Sequence, residues 1–188
     1  CRGVPIVMVT KGLEWQTGGF VTMTELLKSR LPQDVKDSID LMAISGPCIA
    51  GELTRRVETC VVFSGADLAL IDKIIPHFQT SYYHVFASGS PVAMESCAAL
   101  KNAYAMAVAF GAGRHEMLTG SKSSSVAMHN YEAAIFGQVV KEMMYIVHMV
   151  SGNEDIDFSM AGIGDLHVTC QGGRTSRFGR LIGLGLSM

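Results

Sequence analysis

Several signatures of common protein classes are missing from this sequence of 188 residues. It contains no Cys-x-x-Cys pair, no His-Glu-x-x-His and no Gly-x-Gly-x-x-Gly. Without the first two patterns a metal site has no positive support, so no metal is expected. Lysine and arginine total 15 against 17 acidic residues, and no basic run forms a stripe. Nucleic-acid binding is therefore not expected.

The composition is that of a well-packed globular protein, with 48% hydrophobic and 17% charged residues. The five cysteines are odd in number, which favours reduced thiols in a cytoplasmic protein. The most membrane-like stretch, residues 92–110, is interrupted by Glu95, Lys101 and Asn102. Charges at the centre of a membrane helix cost several kcal/mol, so a buried helix is predicted there and no membrane span.

The first 88 residues alternate short apolar runs with amphipathic ones. Strands alternating with helices predict an α/β sheet. The predicted strands are residues 4–10, 40–45, 59–64 and 82–87, and the predicted helices run from a cap at Thr22 or Thr24 to Ser29 and over residues 67–78.

The character of the chain changes near Gly89-Ser90-Pro91, after which Ala and Met are frequent. Residues 92–111 are apolar nearly all round and predict a buried helix, and residues 131–150 predict a second long helix. The Gly/Ser-rich stretch 113–125 predicts a loop. We therefore divide the chain into an α/β part, residues 1–88, and an all-α part, residues 89–188.

Lys101 lies at the centre of the first predicted apolar helix, beside Asn102. Burial lowers the pKa of a lysine, and a lysine tuned in this way can exchange a proton near neutral pH. The spacing alone favours the commoner alternative, a lysine whose aliphatic stem carries the ammonium to the surface.

A second unusual segment spans residues 160–180. Asp165 lies between glycines, and Gly172-Gly173 precede Arg174 and Thr175. Glycine N–H groups and an arginine fork can hold a phosphate. A flexible turn with solvated arginines explains the composition equally well. Lys11 closes the first predicted strand, where a ligand is expected in an open α/β sheet, although an ordinary turn is the commoner case.

Taken together, the motifs resemble the NAD(P)-dependent glycerol-3-phosphate dehydrogenases. Each motif is weak alone, but five in the right order are specific. They are Thr10-Lys11-Gly12-Leu13-Glu14, Ser45-Gly46-Pro47-Cys48-Ile49-Ala50-Gly51-Glu52, Ala99-Leu100-Lys101-Asn102, Ala161-Gly162-Ile163-Gly164-Asp165-Leu166, and Thr169-Cys170 through Gly172-Gly173-Arg174.

The resemblance implies the C-terminal part of a Rossmann-type sheet followed by an all-α substrate domain. It also implies NAD or NADP as cofactor, and interconversion of dihydroxyacetone phosphate and sn-glycerol 3-phosphate. Lys101 would be the general acid/base, held charged by Asp165 if the two lie close. The implied substrate contacts are Lys11, Gly46, Cys48, Asn102, Asp165, Thr169, Arg174 and Thr175, and the implied cofactor contacts are Lys11, Ala50 and Arg174.

Some features depart from the family pattern. Thr175 stands where Asn is common, and Cys48 stands where Ser, Thr or Asn is more usual. A Gly-rich nucleotide loop is expected upstream of Cys1, so both ends are interpreted as cut and these residues alone are not expected to bind NAD(P) or turn over. Cofactor preference stays open, and so does oligomeric state, with a homodimer as one arrangement.

Two other functions stay open at this point. One is a β-hydroxyacid or 6-phosphogluconate-type dehydrogenase, which shares the two-domain plan and a helix lysine. The other is a non-catalytic domain with a degenerate dehydrogenase core. The Gly-Gly-Arg segment and the adjacency of Lys101 and Asn102 favour the glycerophosphate interpretation.

Overall fold

The computed structural model describes residues 4–120, 128–152 and 156–186. Strands and helices alternate in the first part, and helices follow one another in the second. The strands are β1 (Ile6–Met8), β2 (Leu13–Gln16), β3 (Gly19–Thr22), β4 (Leu41–Ser45), β5 (Thr59–Gly65) and β6 (Tyr83–Ser88). The helices are α1 (Met23–Arg30), α2 (Gln33–Lys36), α3 (Ala50–Leu53), α4 (Leu68–Phe78), α5 (Pro91–Thr119), α6 (His129–Ser151), α7 (Asp165–Gly172) and α8 (Arg174–Gly183), with a π-helix at Ser159–Gly164.

Four strands form one sheet in the order β1-β4-β5-β6. β1 is parallel to β4 and β6 is parallel to β5, whereas β4 and β5 are antiparallel. The predicted α/β sheet followed by an all-α part is confirmed, and the sheet is mixed. β1 is shorter than the strand predicted over residues 4–10, and Val4 and Val9 at the two ends of that prediction are exposed.

The hairpin of β2 and β3 was not predicted. These strands pair antiparallel in register from Leu13 opposite Thr22 to Gln16 opposite Gly19. Gly18 and Gly19 both adopt positive φ at the turn, which suits a tight hairpin. The hairpin connects Lys11 directly to the start of α1.

Two predicted helix starts are confirmed by capping contacts. Thr22 caps α1 in a capping box, in which its side chain accepts from the Glu25 backbone N–H and the Glu25 carboxylate accepts from Thr22. The Asp67 side chain accepts from the backbone N–H of Leu70 at the start of α4. These contacts satisfy backbone donors that have no partner within the helix.

The loop predicted for residues 113–125 is wrong over residues 113–119, which continue α5 to 29 residues. Residues 121–125 lie outside the described residues. The glycines in this part of α5 serve close packing. A Cβ at Gly113 would lie 1.9 Å from the Arg180 carbonyl oxygen of α8, and one at Gly111 would meet the Tyr131 ring. A loop predicted from glycine content alone was therefore wrong here.

The core has two parts. Met42, Phe63 and Ile71 belong to a cluster between the sheet and α4. The larger cluster joins α5 and α6 to the segment before α7 and reaches the sheet at Val62; its buried members include Met94, Cys97, Met143, Phe158 and Leu166. This second cluster fixes α5 against the sheet, so residues from both parts of the chain can meet.

Among the described helices, α6 is long and apolar enough to cross a membrane by length and composition. One such helix is weak evidence, because core helices of globular proteins pass the same test. Val139, Met143 and Val147 of α6 are buried in the larger cluster.

Candidate active site

The buried carboxylate of Asp165 binds two lysines that are distant in sequence. Its Oδ1 accepts a hydrogen bond from Lys101 Nζ, and its Oδ2 accepts one from Lys11 Nζ at 3.0 Å. The Asp165 side chain is 1% exposed, against 11% for Lys101 and 30% for Lys11. The cluster is therefore closed on the carboxylate side, and Lys11 faces solvent.

Each member of the cluster comes from a different structural element. Lys11 follows β1, Lys101 lies near the middle of α5, and Asp165 is the first residue of α7. The π-helix ends at Gly164, directly before Asp165. π-helical turns are rare and are frequent at functional sites.

Glycines let the π-helix fit closely between its neighbours. A Cβ at Gly162 would lie 2.6 Å from the Phe158 ring and 3.2 Å from Cys97 Sγ of α5, and one at Gly164 would lie 3.4 Å from Pro47. A larger residue at 162 would move the backbone that leads to Asp165.

The pKa of Lys101 lies below that of an ordinary lysine. Burial of the ammonium is the largest cause, and the nearby Lys11 cation acts in the same direction. The negative charge and hydrogen bond of Asp165 oppose the shift. An ammonium at Lys101 therefore releases its proton more readily than that of a solvated lysine.

The hydroxyl of Thr169 is directed by Asp165. Its Oγ1 donates to the Asp165 backbone oxygen at 2.6 Å, one turn back along α7, and the side chain is buried. Because a hydroxyl has a single proton, the Thr169 oxygen is left as an acceptor for another group.

Asn102 and Thr175 connect α5 to α8 beside the cluster. Thr175 Oγ1 donates to Asn102 Oδ1 at 3.4 Å. Arg174 is exposed at the first position of α8. Residues 160–180, interpreted from sequence as either a phosphate-binding or a flexible loop, are mostly helical, and Gly172-Gly173 form only the junction of α7 and α8.

The remaining predicted site residues follow β4. Gly46 has a φ of +122°, and a Cβ there would approach the Cys60 carbonyl oxygen to 3.1 Å, so the turn requires glycine. Cys48 is exposed. Burial raises the pKa of its thiol, and the charges of Lys11, Asp165 and Lys101 also influence it, which places Cys48 beside the cluster.

The structure does not bring every predicted residue into contact. Within the described ranges, Arg174 and Ala50 form no hydrogen bond or ion pair with Lys101, Asp165 or Lys11. No group of three or more His, Cys, Asp or Glu in that part of the chain could hold a metal ion.

One cavity lies among the helices, apart from the lysine–aspartate cluster. It has a volume of about 1200 Å³ and lies between α5, α6, α7 and α8, where His115, Phe136, His167 and Arg177 line it. None of the predicted site residues lines this cavity. The cluster of Asp165, Lys101 and Lys11 contains the predicted acid/base and is the better candidate active site.

Glu95 has a buried contact that was not predicted from the sequence, where it stood only as an interruption of the apolar helix. Glu95 is 4% exposed, and its carboxylate accepts hydrogen bonds from Thr24. An acid within an apolar helix needs a buried donor, and this rule was the available signal.

Comparison with known proteins assigns the chain to a family. A family model described as the C-terminus of NAD-dependent glycerol-3-phosphate dehydrogenase matches residues 91–188. The chain belongs to this family.

Relatives along the whole chain point the same way. The chain is 32% identical over 183 residues to the NADP(+)-dependent glycerol-3-phosphate dehydrogenase of Archaeoglobus fulgidus, covering 97% of this chain and 52% of that protein. It is 30% identical to the glycerol-3-phosphate dehydrogenase [NAD(P)+] of Pseudomonas fluorescens, covering 100% of this chain and 50% of that one. The chain thus spans about half the length of these curated relatives.

The fold is similar to that of a solved glycerol-3-phosphate dehydrogenase from Coxiella burnetii. The TM-score is 0.79 at 24% sequence identity, over 97% of this chain and 51% of that chain. At this identity the likeness concerns the fold alone.

Proposed function

We propose that the protein containing this chain interconverts dihydroxyacetone phosphate and sn-glycerol 3-phosphate with NAD(P)(H). The observation that carries the proposal is the cluster in which Asp165 binds both Lys101 and Lys11. A β-hydroxyacid or 6-phosphogluconate-type enzyme would also use a helix lysine. The family match favours the glycerophosphate reaction.

Lys101 is the proton donor in ketone reduction. When hydride reaches the carbonyl carbon, the carbonyl oxygen becomes an alkoxide, and the Lys101 ammonium first stabilises this charge and then transfers a proton to it. In alcohol oxidation the neutral amine accepts the same proton. Asp165 keeps the lysine oriented, and its charge favours the ammonium before hydride transfer.

The substrate is held by polar and cationic groups around the cluster. Lys11 and Arg174 are exposed cations suited to the phosphate, and an arginine fork can bind two of its oxygens. Asn102, Thr169 and Thr175 offer hydrogen-bonding groups, while Gly46 and Cys48 border the substrate. These roles belong to the proposal.

The residues present fit an anionic cofactor beside the substrate. β1 and β4 are parallel neighbours, and their carboxyl ends lead to Lys11 and to the turn at Gly46, where open α/β sheets bind ligands. Lys11, Arg174 and Ala50 would contact the cofactor, which supplies the hydride when bound. We also propose that residues 1–88 belong to a nucleotide-binding domain and residues 89–188 to a substrate domain.

The cysteines of the chain bear on its location in the cell. The four cysteines described, Cys48, Cys60, Cys97 and Cys170, are free thiols, which supports a reducing compartment such as the cytoplasm. A small phosphorylated substrate is the proposed partner, with no nucleic acid. Sedimentation of the full-length protein would test a homodimer.

A substrate panel on the full-length protein tests the activity. We expect oxidation of NADH or NADPH with dihydroxyacetone phosphate, and far slower oxidation with dihydroxyacetone, because the phosphate supplies positioning energy. Faster turnover of 6-phosphogluconate or a β-hydroxyacid would favour the other enzyme class. A rise in melting temperature with glycerol 3-phosphate should accompany activity, and no shift at millimolar ligand would favour a degenerate domain.

A further inference from the structure

Glu95 connects the helix that carries Lys101 to the segment that carries Lys11. Its Oε2 accepts a hydrogen bond from the Thr24 backbone N–H at 3.1 Å, and its Oε1 accepts one from the Thr24 hydroxyl. Glu95 and Thr24 are both buried, and they are 71 residues apart in sequence. The contact therefore joins α5 to the first turn of α1.

The position of Thr24 lets this contact influence where Lys11 lies. Thr22 is at once the last residue of β3 and the cap of α1, and Thr22 pairs with Leu13, two residues after Lys11. A shift of the first turn of α1 would be passed through the hairpin to Lys11.

The carboxylate of Glu95 is well matched to this place. It accepts a hydrogen bond from a backbone N–H that has no partner within the helix. This N–H lies at a helix N-terminus, where the helix dipole favours negative charge. Glu25 already occupies the capping box on the exposed side of the same turn. Glu25 therefore caps α1 locally, whereas Glu95 joins α1 to α5.

The next contact along α5 strengthens the connection. The backbone oxygen of Met94 accepts a hydrogen bond from Ser45 Oγ, at the end of β4, at 3.3 Å. Adjacent residues of α5 thus contact α1 and the end of β4. Lys101 lies less than two turns further along the same helix.

We propose that Glu95 is a positioning residue that holds the Lys11 segment in register with Lys101 through Thr24. This inference rests on the proposed function. Glu95 touches neither substrate nor cofactor; it acts by keeping Lys11 at Asp165 and in the substrate site.

The proposal predicts a specific kinetic signature. Losing the contact between Glu95 and Thr24 lets Lys11 move from its place, so binding of the phosphorylated substrate weakens. The groups that face Lys101 are Asp165, Lys11 and Cys48. Because the Lys11 cation favours proton release from Lys101, its withdrawal moves the alkaline limb of ketone reduction to higher pH.

The test compares Glu95→Ala, Glu95→Gln and the control Glu25→Gln in the full-length protein. We expect Glu95→Ala to raise the KM for dihydroxyacetone phosphate about tenfold or more with a smaller change in kcat, since small misplacements are costly. Glu95→Gln keeps one acceptor oxygen and should recover part of the loss. Glu25→Gln, on the same helix turn, should leave the KM unchanged.

Lower stability with wild-type KM and pH profile in Glu95→Ala would overturn the proposal, leaving Glu95 a purely structural residue. A crystal structure of Glu95→Met, which has a similar volume and no carboxylate, provides a readout that needs no activity and serves if Glu95→Ala does not fold. The proposal requires the Lys11 Nζ to Asp165 Oδ2 distance to exceed the present 3.0 Å; an unchanged distance contradicts it. Absence of turnover in the wild-type protein would instead contradict the proposed function, and the distance would still decide the role of Glu95.

Discussion

Lys101 and Asp165 are 64 positions apart in sequence, yet they form an ion pair in which the carboxylate is 1% exposed. Leaving one member of such a pair buried and uncompensated is costly. The pair also sets the proton chemistry of the site, because burial and Lys11 lower the pKa of Lys101 while Asp165 opposes them.

The first prediction concerns the pH dependence of turnover. Reduction needs protonated Lys101, so its rate should fall as pH rises through a pKa below that of ordinary lysine, about 10.4. Oxidation of glycerol 3-phosphate needs the neutral amine and should rise over the same range. Steady-state rates of the full-length enzyme in both directions measure this. Limbs of the same sign in both directions would contradict the assignment.

The second prediction is that Asp165→Asn weakens both catalysis and stability. Removing the carboxylate leaves two unpaired cations, and breaking a buried pair costs about 3–5 kcal/mol. The alkaline limb of reduction should also move to lower pH, because the group that favours the Lys101 ammonium is gone. Urea unfolding and pH–rate profiles measure these changes. The exposed Asp72→Asn is the control, and equal stability of the two variants would argue against the pair.

The third prediction is that a thiol reagent inactivates the enzyme through Cys48. Cys48 is exposed beside the lysine cluster, whereas Cys97 is fully buried and its pKa is raised to about 12. Because burial also raises the pKa of Cys48, alkylation should accelerate with pH. Substrate should protect, and Cys48→Ser should resist.

Mass spectrometry of the modified peptide checks the site of alkylation. Cys170→Ser is the matched control, since burial raises the pKa of Cys170 to about 11 and it lines the other cavity. Inactivation of Cys48→Ser at the wild-type rate would place the sensitive thiol elsewhere.

The fourth prediction tests the close packing of α5 and α8. A Cβ at Gly179 would lie 2.2 Å from the Met106 carbonyl oxygen, so Gly179→Ala must push α8 away. Overpacking of this kind costs about 1–3 kcal/mol. Because α8 begins at Arg174, the KM for the phosphorylated substrate should rise as well.

Gly137→Ala is the control for this substitution. A Cβ at Gly137, within α6, would meet no described atom within 4 Å, so this variant should gain about 0.5–1 kcal/mol from its helix position. Thermal unfolding of both variants measures the difference, and a stabilised Gly179→Ala would show that the helices are less tightly packed.

Much of the fold follows from local sequence patterns. Apolar runs, helical spacing and the cap at Thr22 or Thr24 located four strands and the main helices. The β2–β3 hairpin was not predicted, because Leu13-Glu14-Trp15-Gln16 is too short and too polar for a clear strand signal. The end of α5 was not predicted, because glycine is required at position 113 by the backbone of Arg180, 67 residues later.

The individual residues of the site were predictable from the sequence, but the contacts between them were not. Motifs identified Lys11, Lys101 and Asp165 individually, but no local pattern states that one carboxylate binds both lysines. Glu95 was noticed and left without a role, because its partner Thr24 belongs to a different element. Long-range pairs of polar groups are decided by tertiary packing, which single-sequence reasoning does not reach.

The most direct test of Lys101 as the proton donor is chemical rescue of Lys101→Ala in the full-length enzyme. The substitution should lower turnover of dihydroxyacetone phosphate by about 10²–10⁴-fold, the range for a positioned acid. Small primary ammonium ions added to the assay should restore part of the rate, in an order that follows their pKa values. Near-normal turnover of Lys101→Ala, or rescue that is independent of amine pKa, would contradict the account.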